Sequence, residues 1–450
     1  MKYLTIKSII LASILISFTA CDDFLDLEPE TSLSSAVAFD NIQGIDAGIN
    51  GVYSTLHSDW VERQIVFAEC LAGNVKPVNP ISNTNYTQAL QHTTWLDLFN
   101  ISNYFWQMSY SSLNIANRVV EALPDIESTN QQIEKNKIRL MGEAMYLRGL
   151  IHFTLNRFYA QPQNGLSVPI LVQPFEPGDM PARASIDDIK VQVIADLKEA
   201  ENLMADVVGN NGRADIWAVR ALLARVYFEY RDYQNAESYA NMVIENGGFS
   251  LIDGEVAAAF STNISSENIF TFIGIPTDRA ATNLFDIFSL NNANVQLSVS
   301  DSYWEIINEN ANDLRLTILH EDFVSARACH KYDNRDMNIP FIRLPEMYLI
   351  RAESRTNNGD LDGGLEDLNR LRQRAGIDDT TYTDKEDLLY KILIDRSLEL
   401  SMEGDNFHNL KRLEQPIGGY PWSEAQFKLV FFIPETEVQL SSNIVQNDTW

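Results

Sequence analysis

The sequence predicts a mainly α-helical protein, with tetratricopeptide-like helical repeats carrying irregular loop and short-strand insertions. Three observations lead there. Apolar residues recur at helical spacing through eight stretches. Two of the helix pairs these stretches define match each other in the spacing of their small residues. Two segments rich in Pro, Gly, Asn, Ser and Thr interrupt the helical pattern, as loops do.

Taken from the amino terminus, the chain opens with the anatomy of a targeting segment. Lys2 and Lys7 give it a basic start, Ile9 to Phe18 are an apolar run, and the small pair Thr19 and Ala20 leads to Cys21. The apolar run falls short of the roughly 20 residues a bilayer core requires, so residues 1–20 read as a signal peptide and not as a transmembrane anchor. Small residues directly before Cys21 resemble a lipobox, in which that cysteine becomes the acylated first residue of the mature chain. Phe18 departs from the Leu usual at the third position before it. Residues 21–40 are then a tether. Its acidic start, Asp22-Asp23-Phe24-Leu25-Asp26, resembles the surface-export signal of Bacteroidetes lipoproteins, or is a plain solvated linker.

The helical stretches follow at 98–123, 133–159, 186–204, 214–230, 233–244, 345–355, 365–374 and 388–402. Ser185, ahead of Ile186-Asp187-Asp188, supplies a hydroxyl cap and first-turn carboxylates where the helix dipole favours them. In 214–246, Ala224 and Ala236 stand twelve apart around the turn Arg231-Asp232-Tyr233; in 345–376, Ala352 and Gly364 stand twelve apart around Asn358-Gly359-Asp360-Leu361. Small side chains at that spacing let two antiparallel helices approach closely, and a pair so built must stack on neighbours to bury its apolar face. The insertions lie at 160–185, around a β-like run Val168 to Val172, and at 246–300, around a second run Ile269 to Ile275. Trp106 and Trp217, inside helical stretches, read as core.

Charge excludes whole classes of partner. The chain carries 62 Asp and Glu against 34 Lys and Arg, a net charge of -28. Loss of the leader takes two lysines with it and leaves -30. Nucleic acid and anionic lipid head groups require neutralising cations that this chain does not concentrate anywhere. A hydrophobic content of 45% excludes wholesale disorder. Cys70 and Cys329, the thiols left once Cys21 is lipidated, are either one disulfide or two free thiols, and no C-x-x-C pair suggests zinc.

Several ordered blocks carry a family resemblance. They are Trp106 with Asn114-Ile115-Ala116-Asn117-Arg118-Val119; Glu143-Ala144 with Leu147-Arg148 and Phe153; Ala221-Leu222-Leu223-Ala224-Arg225-Val226-Tyr227; and Arg343-Leu344-Pro345-Glu346-Met347-Tyr348-Leu349-Ile350-Arg351-Ala352-Glu353. Leu368-Asn369-Arg370-Leu371-Arg372-Gln373-Arg374-Ala375-Gly376 continues the series, which ends at Ile433-Pro434 and Gln446-Asn447. Across nearly its whole length the chain resembles the SusD/RagB family, nutrient-binding outer-membrane lipoproteins of Bacteroidetes. In the block Asp395-Arg396, Glu399-Leu400, Glu403-Gly404 it departs from the family at Asn406, usually Arg, and Asn409, usually Asp. A joint loss of both charges is expected if they pair. Ser441-Ser442 and Trp450 also replace the family's terminal Asn-Pro and final aromatic. The resemblance implies a surface binder, lipid-anchored to the outer membrane, that captures an oligosaccharide, or less often a peptide, and closes as a lid over a SusC-like TonB-dependent transporter.

Catalytic signatures are absent: there is no Gly-x-Ser-x-Gly elbow, no His-Glu-x-x-His and no phosphate-cradling glycine loop. Six histidines are scattered, with His320 and His330 the pair that could share a surface. Acid pairs such as Asp378-Asp379 arise by coincidence among 62 acids. Asn358, Asp360, Asp362 and Gly363 occupy the opening positions of an EF-hand loop, but its twelfth position is Asn369, and the stretch doubles as the turn of a repeat. No metal and no cofactor is expected. Ligand contact is expected on the polar stretch 73–94 and just beyond it, at Asn83, Tyr86, Gln88 and Trp95, where amides and aromatic faces coincide. Sugars need both, unless these aromatics fold back on the scaffold. Tyr303 and Trp304 form a second wall, or belong to the core, since Trp304, Ile307 and Leu314 keep helical spacing. The expected organisation is a signal peptide at 1–20, a lipidated tether at 21–40 and a single binding domain at 41–450. Its function is oligosaccharide capture; binding of a peptide or another small nutrient comes second, and a surface glycosidase third.

Overall fold

The computed structural model describes residues 38–79 and 95–448, except 177, 180, 210–211, 254–255, 275–280, 290, 293–294, 319–326 and 328. Cys21 and its tether, Asn83, Tyr86, Gln88 and His320 therefore lie outside the described residues.

Helix α1 (Ile42–Thr55) begins where the Asn41 side chain accepts from the Gly44 N–H, and it buries Ile42, Ile45, Ile49 and Val52 as one stripe. A π-helical turn, Leu56–Trp60, runs directly into α2 (Val61–Ala72), which stops at Gly73 in the left-handed region at φ 75°. Strand β1 (Val75–Pro77) follows, then the long helices α3 (Trp95–Ala122) and α4 (Gln131–Tyr159). Helix α5 (Ile186–Leu203) starts at Ser185 with a complete capping box to Asp188. It packs along α4. Helices α6 (Ile216–Glu229) and α7 (Tyr233–Asn246) are capped by Asp215 and Asp232. Next come β2 (Asn268–Phe272), α8 (Thr282–Phe288), β3 (Leu297–Val299), α9 (Asp301–Ile307) and β4 (Ile339–Arg343). Helices α10 (Leu344–Asn358), α11 (Leu361–Arg374) and α12 (Lys385–Glu399) precede three short ones, α13 (Asn406–Arg412), α14 (Trp422–Lys428) and α15 (Glu435–Leu440).

All eight helical stretches of the sequence are helices here, so the protein is mainly α. Among the described residues the strands form two antiparallel pairs, β1 with β3 and β2 with β4. The run Val168 to Val172 is not a strand, which corrects the expectation for that insertion. The Ser167 N–H reaches the Ala184 carbonyl and the Ala184 N–H returns to that of Val168, but no ladder continues, and Arg183 takes the Ser167 and Leu166 carbonyls. Trp106 is core, as expected, whereas Trp217 is only partly buried. Cys70 and Cys329 are buried free thiols.

Helices α6 and α7 pack as one antiparallel pair, α10 and α11 as another, and α7 lies against α10, so the two repeats stack. Ala224, Ala236 and Ala352 are fully buried. At Gly364 a methyl group would stand 2.8 Å from the Ala352 carbonyl oxygen and press on Thr356, so only hydrogen fits. The EF-hand-like stretch is the turn of the second repeat. Asp360 caps α11 through the Gly363 N–H, Asn358 bonds Tyr233 and Glu237, and Asp362 accepts from the Tyr382 hydroxyl.

Charged residues from the family-like blocks meet inside the protein. Arg343 reaches Glu267 and Glu399 at 3.3 Å and Glu403 at 2.6 Å; Arg374 bonds Glu399 at 2.5 Å; Arg315 joins Asp313 and Asp395. Lys331 donates to Glu403 and to the carbonyls of Glu399 and Ser401, which caps the carboxyl end of α12 with a buried cation. Burial alone would raise the Glu399 pKa, yet Arg374, Arg343 and Arg315 hold it at about 2. Glu267, beside two of the same guanidiniums but also beside Glu399, is pushed up, chiefly by burial. Further pairs are Arg225–Glu346, Arg351–Asp367, Arg396–Asp405 and Arg412–Glu353. Asn406 bonds Asn74 and Ser397 while Asn409 accepts from Arg412, so the two uncharged positions have separate partners.

Glu62, on α2, is a buried carboxylate without a cation. Desolvation raises its pKa to about 8 although Asn283 of α8 donates both its backbone and its side-chain N–H groups to it.

Two outcomes follow. Gly364→Val should lower unfolding free energy by about 1–3 kcal/mol, as overpacking does, and denaturant titration reads it directly. A carboxyl raised from 4.5 to about 8 favours the folded state fully below pH 4.5, and that contribution disappears as pH climbs to 8. Wild-type stability should therefore fall across this window relative to Glu62→Gln, whose curve should be flatter; parallel curves from melts at pH 5, 6.5 and 8 would refute the assignment.

Candidate functional site

Two exposed patches combine an aromatic ring with polar groups, and α8 runs between them. The first lies on α2 and α3. Tyr104 is 44% exposed, although its neighbours Phe105 and Trp106 are core. One face of its ring is covered by the Arg63 guanidinium, 4.6 Å from the centroid. Arg63 reaches Asp59 at 3.5 Å, and Asp59 accepts from the exposed Asn283 side chain at 3.2 Å. The Arg63 Nε atom and the Asn103 amide oxygen are buried and have no hydrogen-bond partner among the described residues. An aromatic face, a guanidinium, a carboxylate and the Asn283 amide thus share one surface.

Local structure explains the placement. The π-helical turn widens the chain at Asp59, directly before the α2 turn that carries Glu62 and Arg63. On α3 the inward side holds Phe105, Met108, Ser109 and Ser112, which leaves Tyr104, Gln107 and Ser111 outward. Trp95 is the first residue of α3, nine residues and so about 13 Å of helix from Tyr104 at 1.5 Å per residue. The polar stretch that holds Asn83, Tyr86 and Gln88 enters α3 at that end.

The second patch follows β3. Asp301 accepts from Lys76 of β1 at 2.7 Å and from Arg327 at 2.6 Å, and both bonds lower its pKa. Arg327 also lies over the Trp304 ring, 5.0 Å from its centroid. Trp304 is half-buried, so it offers only part of a face. Tyr303 corrects the expectation: it is buried, and its hydroxyl donates to the Ser397 carbonyl, so it belongs to the core and cannot be a wall.

Sequence reasoning missed Arg63, Asp59, Tyr104 and Asn283. Tyr104 sits within an uninterrupted helical pattern, and its stacking partner is 41 positions away. The exposed aromatic among inward-facing neighbours was the one available signal.

Ser289 donates to Asp333, which also bonds His330, so the imidazole is not placed to take the serine proton. Among the described residues no group of three or more His, Cys, Asp or Glu could hold a metal, and no helix is long and apolar enough to cross a membrane.

Residues 23–228 match a family described as "Starch-binding associating with outer membrane", and residues 296–430 match the SusD family. A SusD-like protein of Bacteroides ovatus is 24% identical over 90% of this chain and 82% of its own. The structure of a SusD superfamily protein from Bacteroides thetaiotaomicron superposes with a TM-score of 0.77 at 22% identity, covering 91% of this chain and all of that one. A SusD-like carbohydrate binding protein from Bacteroides vulgatus gives 0.73 at 20% identity, with 84% of each chain covered. On two matches that together span most of its length, and on a fold shared throughout, the chain belongs to the SusD/RagB family.

Proposed function

We propose that this protein captures an oligosaccharide at the cell surface and delivers it to a SusC-like TonB-dependent transporter, tethered to the outer membrane by lipid on Cys21. The observation that carries the reading is the exposed Tyr104 ring beside Arg63, Asp59 and Asn283. The C–H face of a sugar packs on an aromatic ring while its hydroxyls pair with nearby donors and acceptors. Asn83, Tyr86, Gln88 and Trp95 join the site from the segment that enters α3, and the open part of Trp304 forms its outer wall. Family membership and a relative named as carbohydrate binding support the ligand class.

Binding without turnover is favoured by Glu62. A glycosidase needs two carboxyls flanking one open bond, and the second acid beside Asp59 is sealed under Asn283.

Tyr104→Ala should weaken oligosaccharide binding by about tenfold and leave melting nearly unchanged, since stacking is worth roughly 0.5–1.5 kcal/mol beyond area. Isothermal titration against a glycan panel, with melting of the same variant, measures both. Undiminished affinity would remove the patch from the site, product formation would make the protein a glycosidase, and silence across the panel would turn the search to peptides. For the anchor, Cys21→Ala should shift the protein out of the outer-membrane fraction or leave it with its leader; unchanged fractionation would disprove lipidation as the tether.

A further inference from the structure

A cleft of about 270 Å³ opens between α3, the 169–181 segment and α15, and the proposed function makes no use of it. Trp106 and Tyr110, one turn apart on α3 with ring centroids 4.6 Å apart, form one wall. Phe175, Leu440 and Ile444 face them. The Tyr110 hydroxyl is engaged with the Pro169 carbonyl at 2.9 Å, so that ring turns only carbon to the cleft. Leu440 is 69% exposed at the rim, an apolar side chain that nothing covers.

The charged side chains that line this slot have one sign, while Arg183, which acts on Tyr110, does not line it and is bonded to the Ser167, Leu166 and Val445 carbonyls. No Lys, Arg or His lines it, and the ionisable lining groups are Asp179 and Glu437. Asp179 already accepts from the Glu176 N–H. The Glu437 carboxylate has no hydrogen-bond or ion-pair partner among the described residues, and neither has the indole N–H of Trp106, a residue only 3% exposed. A half-buried anion without a counter-charge is an unfavourable arrangement that a cation relieves.

We propose that this cleft binds a small aromatic cation, its ring between Trp106 and Phe175 and its ammonium on Glu437. The volume holds one ring with a short arm; a benzene-sized ligand fits even a closed apolar cavity of about 150 Å³. A carboxylate-tipped ligand would meet two acids. Desolvation raises the Glu437 pKa, so acid weakens the site at a higher pH than it would an ordinary carboxylate.

Titrating the mature protein with 2-phenylethylammonium, followed by tryptophan fluorescence and calorimetry, tests the assignment independently of any glycan. Saturable binding is expected, with phenylacetate and butylammonium at least tenfold weaker, since each lacks the charge or the ring. Glu437→Gln should weaken the arylammonium by about tenfold, in keeping with loss of a charge-assisted hydrogen bond. Glu435→Gln, two residues earlier on the same helix and outside the cleft, should have no effect. The proposal is overturned if the arylammonium does not saturate, if phenylacetate binds as well, if Glu437→Gln binds undiminished, or if Glu435→Gln weakens binding equally.

Discussion

The Arg343 guanidinium, 1% exposed at the junction of β4 and α10, fixes the relative placement of the second half of the chain. It bonds the residue that leads into β2, the last residue of α12 and the turn beyond it, while Arg374 of α11 and Lys331 tie the same carboxylates from other directions. Such an arrangement need not be more stable than an apolar core of equal volume. What it imposes is mutual dependence, since stranding one buried charge costs about 3–5 kcal/mol.

The scaffold was legible because its signals are local. Helical spacing located eight of the long helices but not α1 and α2, and the twelve-residue interval of small side chains located both repeats, where Gly364 leaves no room for a methyl group. Signals that depend on distant partners were not legible. Val168 to Val172 has strand composition, but the hydrogen bonds that decide its shape come from Ala184, Tyr110, Asn117, His152 and Arg148. Tyr303 and Trp304 are adjacent, yet one bonds the end of α12 and the other lies under Arg327. No composition rule separates them. The Tyr104 patch brings together α2, α3 and α8, and nothing in the sequence of any one predicts the other two.

Scaffold and site also differ in electrostatics. Inside, carboxylates face the cations of the α10–α12 region, and Glu399 keeps its charge there despite full burial, whereas Arg183 is held by backbone carbonyls and Asn447. At the surface patches the matching is looser: Arg63 stands 3.5 Å from Asp59, and Asp301 is shared by two cations on an exposed ribbon. Incomplete pairing at the surface costs little because water screens it. The same groups remain available to a ligand that displaces that water.

The alternation at Tyr104 and Phe105 has a consequence for how such proteins diversify. Neighbouring positions on one helix face opposite environments, one ring in solvent and the next in the core. Substitutions at the solvent-facing position change stability by only a few tenths of a kcal/mol, whereas those at the inward position are strongly selected against. The outward position can therefore change by single substitutions without loss of the fold, whereas the position beside it cannot.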